Sequence, residues 1–176
     1  MKNLIFLSFL ILASCSKNEY NLSANSDIPD GEMVYLVQYK ENVPVLKDSI
    51  NVLGGNFSFS DSIVVPEMYY LFFKNIRGNV PVVLEPGNIE MTVYKDSLRS
   101  TSIKGTKSND DFKQYIDESS SFINELNSIQ NEINYNIAIN DSLIKLDLEE
   151  QFIEMRKKLT DYEYDFMSSK NNSYVS

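Results

Sequence analysis

The chain has 176 residues, 43% hydrophobic and 23% charged, which suits one globular domain with a real core and disfavours wholesale disorder, two full domains or many membrane spans. With 16 Lys and Arg against 25 Asp and Glu, a net charge of −9 speaks against nucleic acid or an anionic membrane surface as a partner. There is no His, no Trp and one Cys, which excludes imidazole-activated nucleophiles, an internal disulfide, a C-x-x-C redox pair and a thiolate zinc site.

Residues 1–14 open with Met-Lys-Asn, continue through nine largely apolar residues and close on Ala13-Ser14. That is a secretion signal, too short to span a bilayer. It ends at Leu12-Ala13-Ser14-Cys15, which resembles the lipobox of bacterial lipoproteins. The resemblance implies cleavage before Cys15 and lipid on its thiol. The expected location is the bacterial cell envelope, with the chain held on a membrane and facing the periplasm or the cell surface.

From residue 15 to 107 the pattern predicts seven or eight short strands. Tyr20 and Leu22 alternate with polar residues after a tether, and Pro29-Asp30-Gly31 makes a turn. Residues 33–39 and 45–52 are strands. Residues 48–53 and 56–59 flank Gly54-Gly55, a pair able to take the positive φ of a tight turn; this predicts a β-hairpin at the packing centre, with Phe57 and Phe59 buried. Residues 67–74 are the most apolar window of the mature chain and predict a central strand. Pro81, which has no N–H to donate, assigns residues 79–84 to an edge or bulge. Glu85-Pro86-Gly87-Asn88 reads as a type II turn, and Ile89, Met91 and Val93 alternate beyond it. The fold class expected is mainly β with α: an antiparallel β-sandwich or partly open barrel.

At Ser108 the period changes from two to between three and four. Ser108-Asn109-Asp110-Asp111 reads as a helix N-terminus, and Phe112, Ile116, Ser119, Ile123, Leu126, Gln130, Ile133 and Ile137 as one helical face. Residues 140–142 mark a break, after which Leu148, Phe152, Met155, Leu159, Tyr162 and Phe166 form a second stripe. Residues 108–176 are therefore expected to be a helical hairpin or linker. The second stripe is expected to keep a partly unsatisfied apolar face, through which the hairpin could meet a protein partner or another copy.

These segments resemble the domain of unknown function 4369, an N-terminal module that precedes a thioredoxin-like domain in many lipoproteins of Gram-negative bacteria. The matching pieces are Pro29-Asp30-Gly31 with Val34-Tyr35-Leu36, Asp48-Ser49 with residues 55–59, Leu84-Glu85-Pro86-Gly87, and Gly105 with Asn109, Phe112 and Tyr115. The resemblance implies the β module. No redox role carries over to any residue, because the C-x-x-C of the longer proteins has no counterpart.

Other candidate sites reduce to structural roles. Asp161, Glu163 and Asp165 alternate like a calcium loop but no Gly follows, so a solvated helix face is expected. Asp110-Asp111 and Glu149-Glu150 are helix neighbours about 100° apart and do not share a site. Asp48-Ser49 has no base to activate a nucleophile, and residues 69–73 suit burial on both faces better than a ligand groove. No cofactor, metal site or catalytic residue is expected. The leading functional expectation is a lipid-anchored, non-enzymatic β domain that binds or positions a partner. The alternatives are the N-terminal part of an envelope thiol-disulfide oxidoreductase and an assembly module acting through the helical hairpin.

Overall fold

The computed structural model describes residues 18–138, 142–170 and 173–174; the leader sequence and Cys15 lie outside them. Eight strands follow in order: β1 (Glu19–Ser26), β2 (Met33–Lys40), β3 (Val43–Asn51), β4 (Asn56–Ser62), β5 (Glu67–Phe73), β6 (Ile76–Leu84), β7 (Gly87–Val93) and β8 (Ser102–Lys104). They form two four-stranded sheets, ordered β4-β1-β7-β8 and β3-β2-β5-β6, so the architecture is an open sandwich. Two helices complete it, α1 (Lys107–Ala138) and α2 (Ser142–Ser169).

Alternation along each strand puts one side chain in two between the sheets. Tyr20, Leu22 and Ala24 of β1 are buried there, as are Val34 and Leu36 of β2 and Leu71 and Phe73 of β5. Phe57 and Phe59 are buried as the sequence implied. The Phe57 ring meets Phe73 of the opposite sheet edge-on at 6.1 Å, so it ties the two layers together.

The hairpin expected across Gly54-Gly55 does not form. Both glycines do have positive φ, 59° and 71°, and Leu53 and Asn56 exchange backbone hydrogen bonds. That single bridge is the whole ladder, because β3 goes on to pair with β2 and β4 with β1 in the other sheet. The turn is a corner between sheets. Gly55 is pressed so close to β1 that an added Cβ would stand 2.7 Å from the Ser26 carbonyl oxygen. The hairpin in this region is β2–β3, turned by Glu41 and Asn42, both at positive φ. The chain also changes sheet at the Pro86 corner, between β6 and β7. Repeated crossing explains the one parallel pairing, β1 with β7, in an otherwise antiparallel structure.

β5 lies inside its sheet and β6 at its edge, in keeping with the aromatic run of the one and Pro81 of the other. Of residues 69–73, Tyr69, Leu71 and Phe73 enter the core, while Tyr70 and Phe72 are half-buried on the outer face.

The helices pack on each other along α2's expected stripe: Leu148, Met155 and Phe166 are buried and Phe152, Leu159 and Tyr162 half-buried. α1 thus covers this stripe fully at three positions and in part at the other three. On α1 the buried face is rotated from the one expected. Ser119, Ile129, Ile133 and Asn136 are buried and Phe122 and Leu126 half-buried, whereas Ile116, Ile123, Gln130 and Ile137 are exposed. These four recur every seven residues and make a second stripe beside the seam.

The registers give the molecule two ends. Glu19 and Gly87 begin the parallel strands β1 and β7 at one end, where β6 finishes. α1 starts at that end beside Val83 and runs against β6 toward Asn79. A helix of 32 residues is about 48 Å long and a nine-residue strand about 30 Å, so the hairpin passes the far end of the sheet by roughly 20 Å.

Phe57→Ala should lower unfolding stability by roughly 3–5 kcal/mol, the cost of truncating a buried Phe. The denaturant midpoint of the variant should fall accordingly; a wild-type midpoint would contradict the packing of Phe57 between the sheets.

Candidate binding site

The sandwich and the hairpin are joined by a polar clasp at the start of α1. Asn109 is 1% exposed, and its side chain works like one residue of an adjoining strand. Its Oδ1 accepts from the Val83 backbone N–H at 3.0 Å, and its Nδ2 donates to the Val83 carbonyl at 2.7 Å and to Thr106 Oγ1 at 2.8 Å. Next to it, the Ser108 N–H and hydroxyl both donate to the Glu85 carboxylate at 2.7 Å. A carboxylate at this position also complements the positive end of the helix dipole. Ser108 and Asn109, expected as the cap of their own helix, thus bond to the end of β6 instead. Gly105, at φ +105°, leads into the clasp; an added Cβ would stand 2.4 Å from the Asn88 carbonyl oxygen.

The end of α2 returns to the same place. Lys170 donates to Asp111 at 2.9 Å and to Gln114 at 2.6 Å, its ammonium lies 4.8 Å from the Phe166 ring centroid, and the Tyr174 N–H donates to Ser108 Oγ. Asp111 is held down to about 2 from the usual 3.8. Burial pushes the other way, but hydrogen bonds from Lys170, Lys107 and Ser173 together outweigh it.

With α1 fixed beside β6, a groove of about 240 Å³ opens between them, walled by Val80, Pro81, Leu98, Ile103, Phe112 and Ile116. Thr101 also lines it, and its buried hydroxyl has no hydrogen-bond partner among the described residues. Asn79, Leu98 and Arg99 are shared with a more polar hollow of about 530 Å³ that contains Arg77 and Lys95 as well. Two of the three arginines of this acidic chain stand in that hollow. Neither the Arg77 nor the Arg99 side chain makes an ion pair or hydrogen bond among the described residues. Lys95 is 3.9 Å from the exposed Asp96, and Lys113 is paired with Asp117 at the groove's rim.

Several polar groups elsewhere pair with each other. On the outer face of β1, β4, β7 and β8, Asn25 bonds Asn56 and Lys104 pairs with Glu90. Where the sheets' edge strands β3 and β4 approach, Lys47 and Asp61 form a 2.7 Å ion pair. Near it, burial first and Asp61 second raise Tyr20 to about 12, far from titration at neutral pH.

Several residues singled out from the sequence have partners, while the Glu150, Asp161 and Asp165 side chains make no hydrogen bond or ion pair among the described residues. Asp48 accepts from the Ser49 N–H, Asp110 from the Gly105 N–H, and Asp111 from two lysines. Glu149 pairs with Lys145, and Glu163 accepts from the Tyr115 hydroxyl. No three His, Cys, Asp or Glu side chains come together among the described residues. Sequence reading missed Arg77 and Arg99; the signal for them was the scarcity of Arg in an acidic chain.

The clasp implies a defined acid response. A carboxylate depressed in the folded state adds stability that is complete above its unfolded pKa and lost as pH falls through the folded one. The stability difference between wild type and Asp111→Asn should therefore be constant above about pH 4 and shrink toward pH 2. Urea midpoints measured over that range check it; a difference independent of pH would contradict the clasp.

No curated protein matches the chain. The family model described as "Domain of unknown function (DUF4369)" matches residues 20–112, from β1 through the clasp to the first turns of α1. That match covers more than half of the chain, and the protein belongs to this family.

Proposed function

We propose that the protein is a lipid-anchored component of the bacterial cell envelope, tethered through Cys15, whose non-enzymatic β domain binds or positions a partner. The observation that carries the binding role is the groove beside β6 together with the adjoining hollow and its unpaired Arg77 and Arg99 side chains. The apolar wall and the few polar groups at its mouth are the composition of a ligand site. The residue inventory favours binding over catalysis, since there is no His and the single Cys ends the lipobox-like sequence.

Chain geometry supports anchoring at one end. Four residue steps separate Cys15 from Glu19, the first residue of β1, a reach of at most about 14 Å. A lipid on Cys15 would hold the start of β1 against the membrane, with the groove's Asn79 end and the tip of the hairpin directed away. Acylation at two or more positions would make the attachment stable where a single chain is marginal.

A second reading, assembly through the hairpin, is favoured by the exposed Ile116, Ile123 and Ile137 of α1 and Leu146 and Ile153 of α2. Residues 108–176 hold 14 acids and six bases, so a partner with basic residues fits these helices better than a second copy.

Metabolic labelling with a fatty-acid analogue tests the anchor. Wild type should be labelled and sediment with membranes, and Cys15→Ser should do neither. An equally labelled variant would overturn the assignment.

A further inference from the structure

The groove and the basic hollow share Leu98 and Arg99 and form one continuous amphipathic site. We propose that it binds a small amphiphile with an anionic head, carboxylate or phosphate, and a medium-length alkyl tail. This rests on reading the β domain as a binding module and names the chemistry of its ligand.

Charge complementarity points to the head. The hollow sets Arg77, Lys95 and Arg99 against one carboxylate, Asp96, within a chain whose net charge is −9. Lys113 and Asp117 neutralise each other at the groove's rim, leaving Arg99 free at the junction. Guanidinium groups without partners present paired donors in the geometry that carboxylate and phosphate oxygens match. A positive patch against the sign of the whole chain marks a place where an anion is drawn to one locality.

The groove points to the tail. Six apolar side chains wall it, and at about 240 Å³ it is smaller than the pockets that hold drug-sized molecules. An added peptide strand is the competing occupant, because β6 is an edge, but its free side is poor in donors. Asn109 already bonds both backbone groups of Val83, so by alternation Pro81 and Asn79 are the next residues to face outward. Pro81 has no N–H. A strand docking there would find one outward N–H, at Asn79, over this stretch. An alkyl chain needs no donor.

The site can be probed with the mature chain carrying Cys15→Ser, since the described fold lies wholly within residues from 18 onward. Sodium decanoate and decyl phosphate, below their micellar concentrations, are titrated calorimetrically beside decanol, octanoate and inorganic phosphate. At least one of the two charged ten-carbon probes should bind ten times or more tighter than decanol and than inorganic phosphate, and the tighter one identifies the head. Octanoate should bind more weakly than decanoate, by roughly fourfold for each methylene removed. Arg77→Ser with Arg99→Ser should weaken the charged probe at least tenfold and leave decanol unchanged; Ile116→Glu should weaken both. These side chains are exposed, so the variants should keep the wild-type melting curve.

No binding by either charged probe, affinity equal to decanol, or an unchanged double Arg variant would overturn the inference. A chain that takes the lipid label yet binds neither amphiphile refutes this site and leaves the anchored module standing. One that binds decanoate without being labelled does the reverse.

Discussion

The arrangement depends on one buried side-chain amide. Asn109 satisfies both outward backbone groups of Val83 at the end of an edge strand, where an unpaired N–H and C=O under a helix would each cost about 1–3 kcal/mol. Val82 and Leu84 face the core between the sheets, and Val83 is itself fully buried on the other face. A leucine of similar size at position 109 could fill the space but leave both groups stranded. Glu85 and Ser108 reinforce the join with hydrogen bonds to a charged acceptor, which are stronger than neutral ones.

Because the clasp sits at one end of β6 and α1 runs along the strand, the helix can stand off the sheet farther along and leave a groove. The walls of the groove come from different parts of the chain: β6, the short turn at Leu98–Ser100, the start of β8 and the second and third turns of α1. Lys170 and Tyr174 bring the end of α2 back to the clasp, so both helices are tied at their base. Farther along the hairpin, Ile129 and Ile133 of α1 pack against Leu148 and Met155 of α2. Exposed apolar residues lie along the length of both helices.

Much of this was legible in the sequence, wherever a local rule decides the outcome. Alternation located the strands, the absent donor of Pro81 put β6 at an edge, and four-three spacing identified the buried stripe of α2. Non-local partners were not legible. Gly54-Gly55 states that the chain reverses, which it does, but not that the two flanks join different sheets. On α1 the seam was ambiguous because apolar residues come in adjacent pairs, Tyr115-Ile116 and Phe122-Ile123, and either member gives a seven-residue repeat. Burial of the polar Asn136 rather than the neighbouring Ile137 settles the face, contrary to a reading weighted by hydrophobicity; Ser119 was already on the expected face. Arg77 and Arg99 are 22 residues apart and meet only because the β5–β6 turn lies beside the loop after β7.

Hydrogen exchange resolved to single amides, comparing wild type with Asn109→Leu, tests whether this amide holds the hairpin to the sandwich. The account predicts that the variant loses protection at Val83 and through the first turns of α1, while Leu22 and Leu71 in the inner strands exchange as in wild type. Unchanged protection at Val83 and α1, or an equal loss across both sheets, would contradict it.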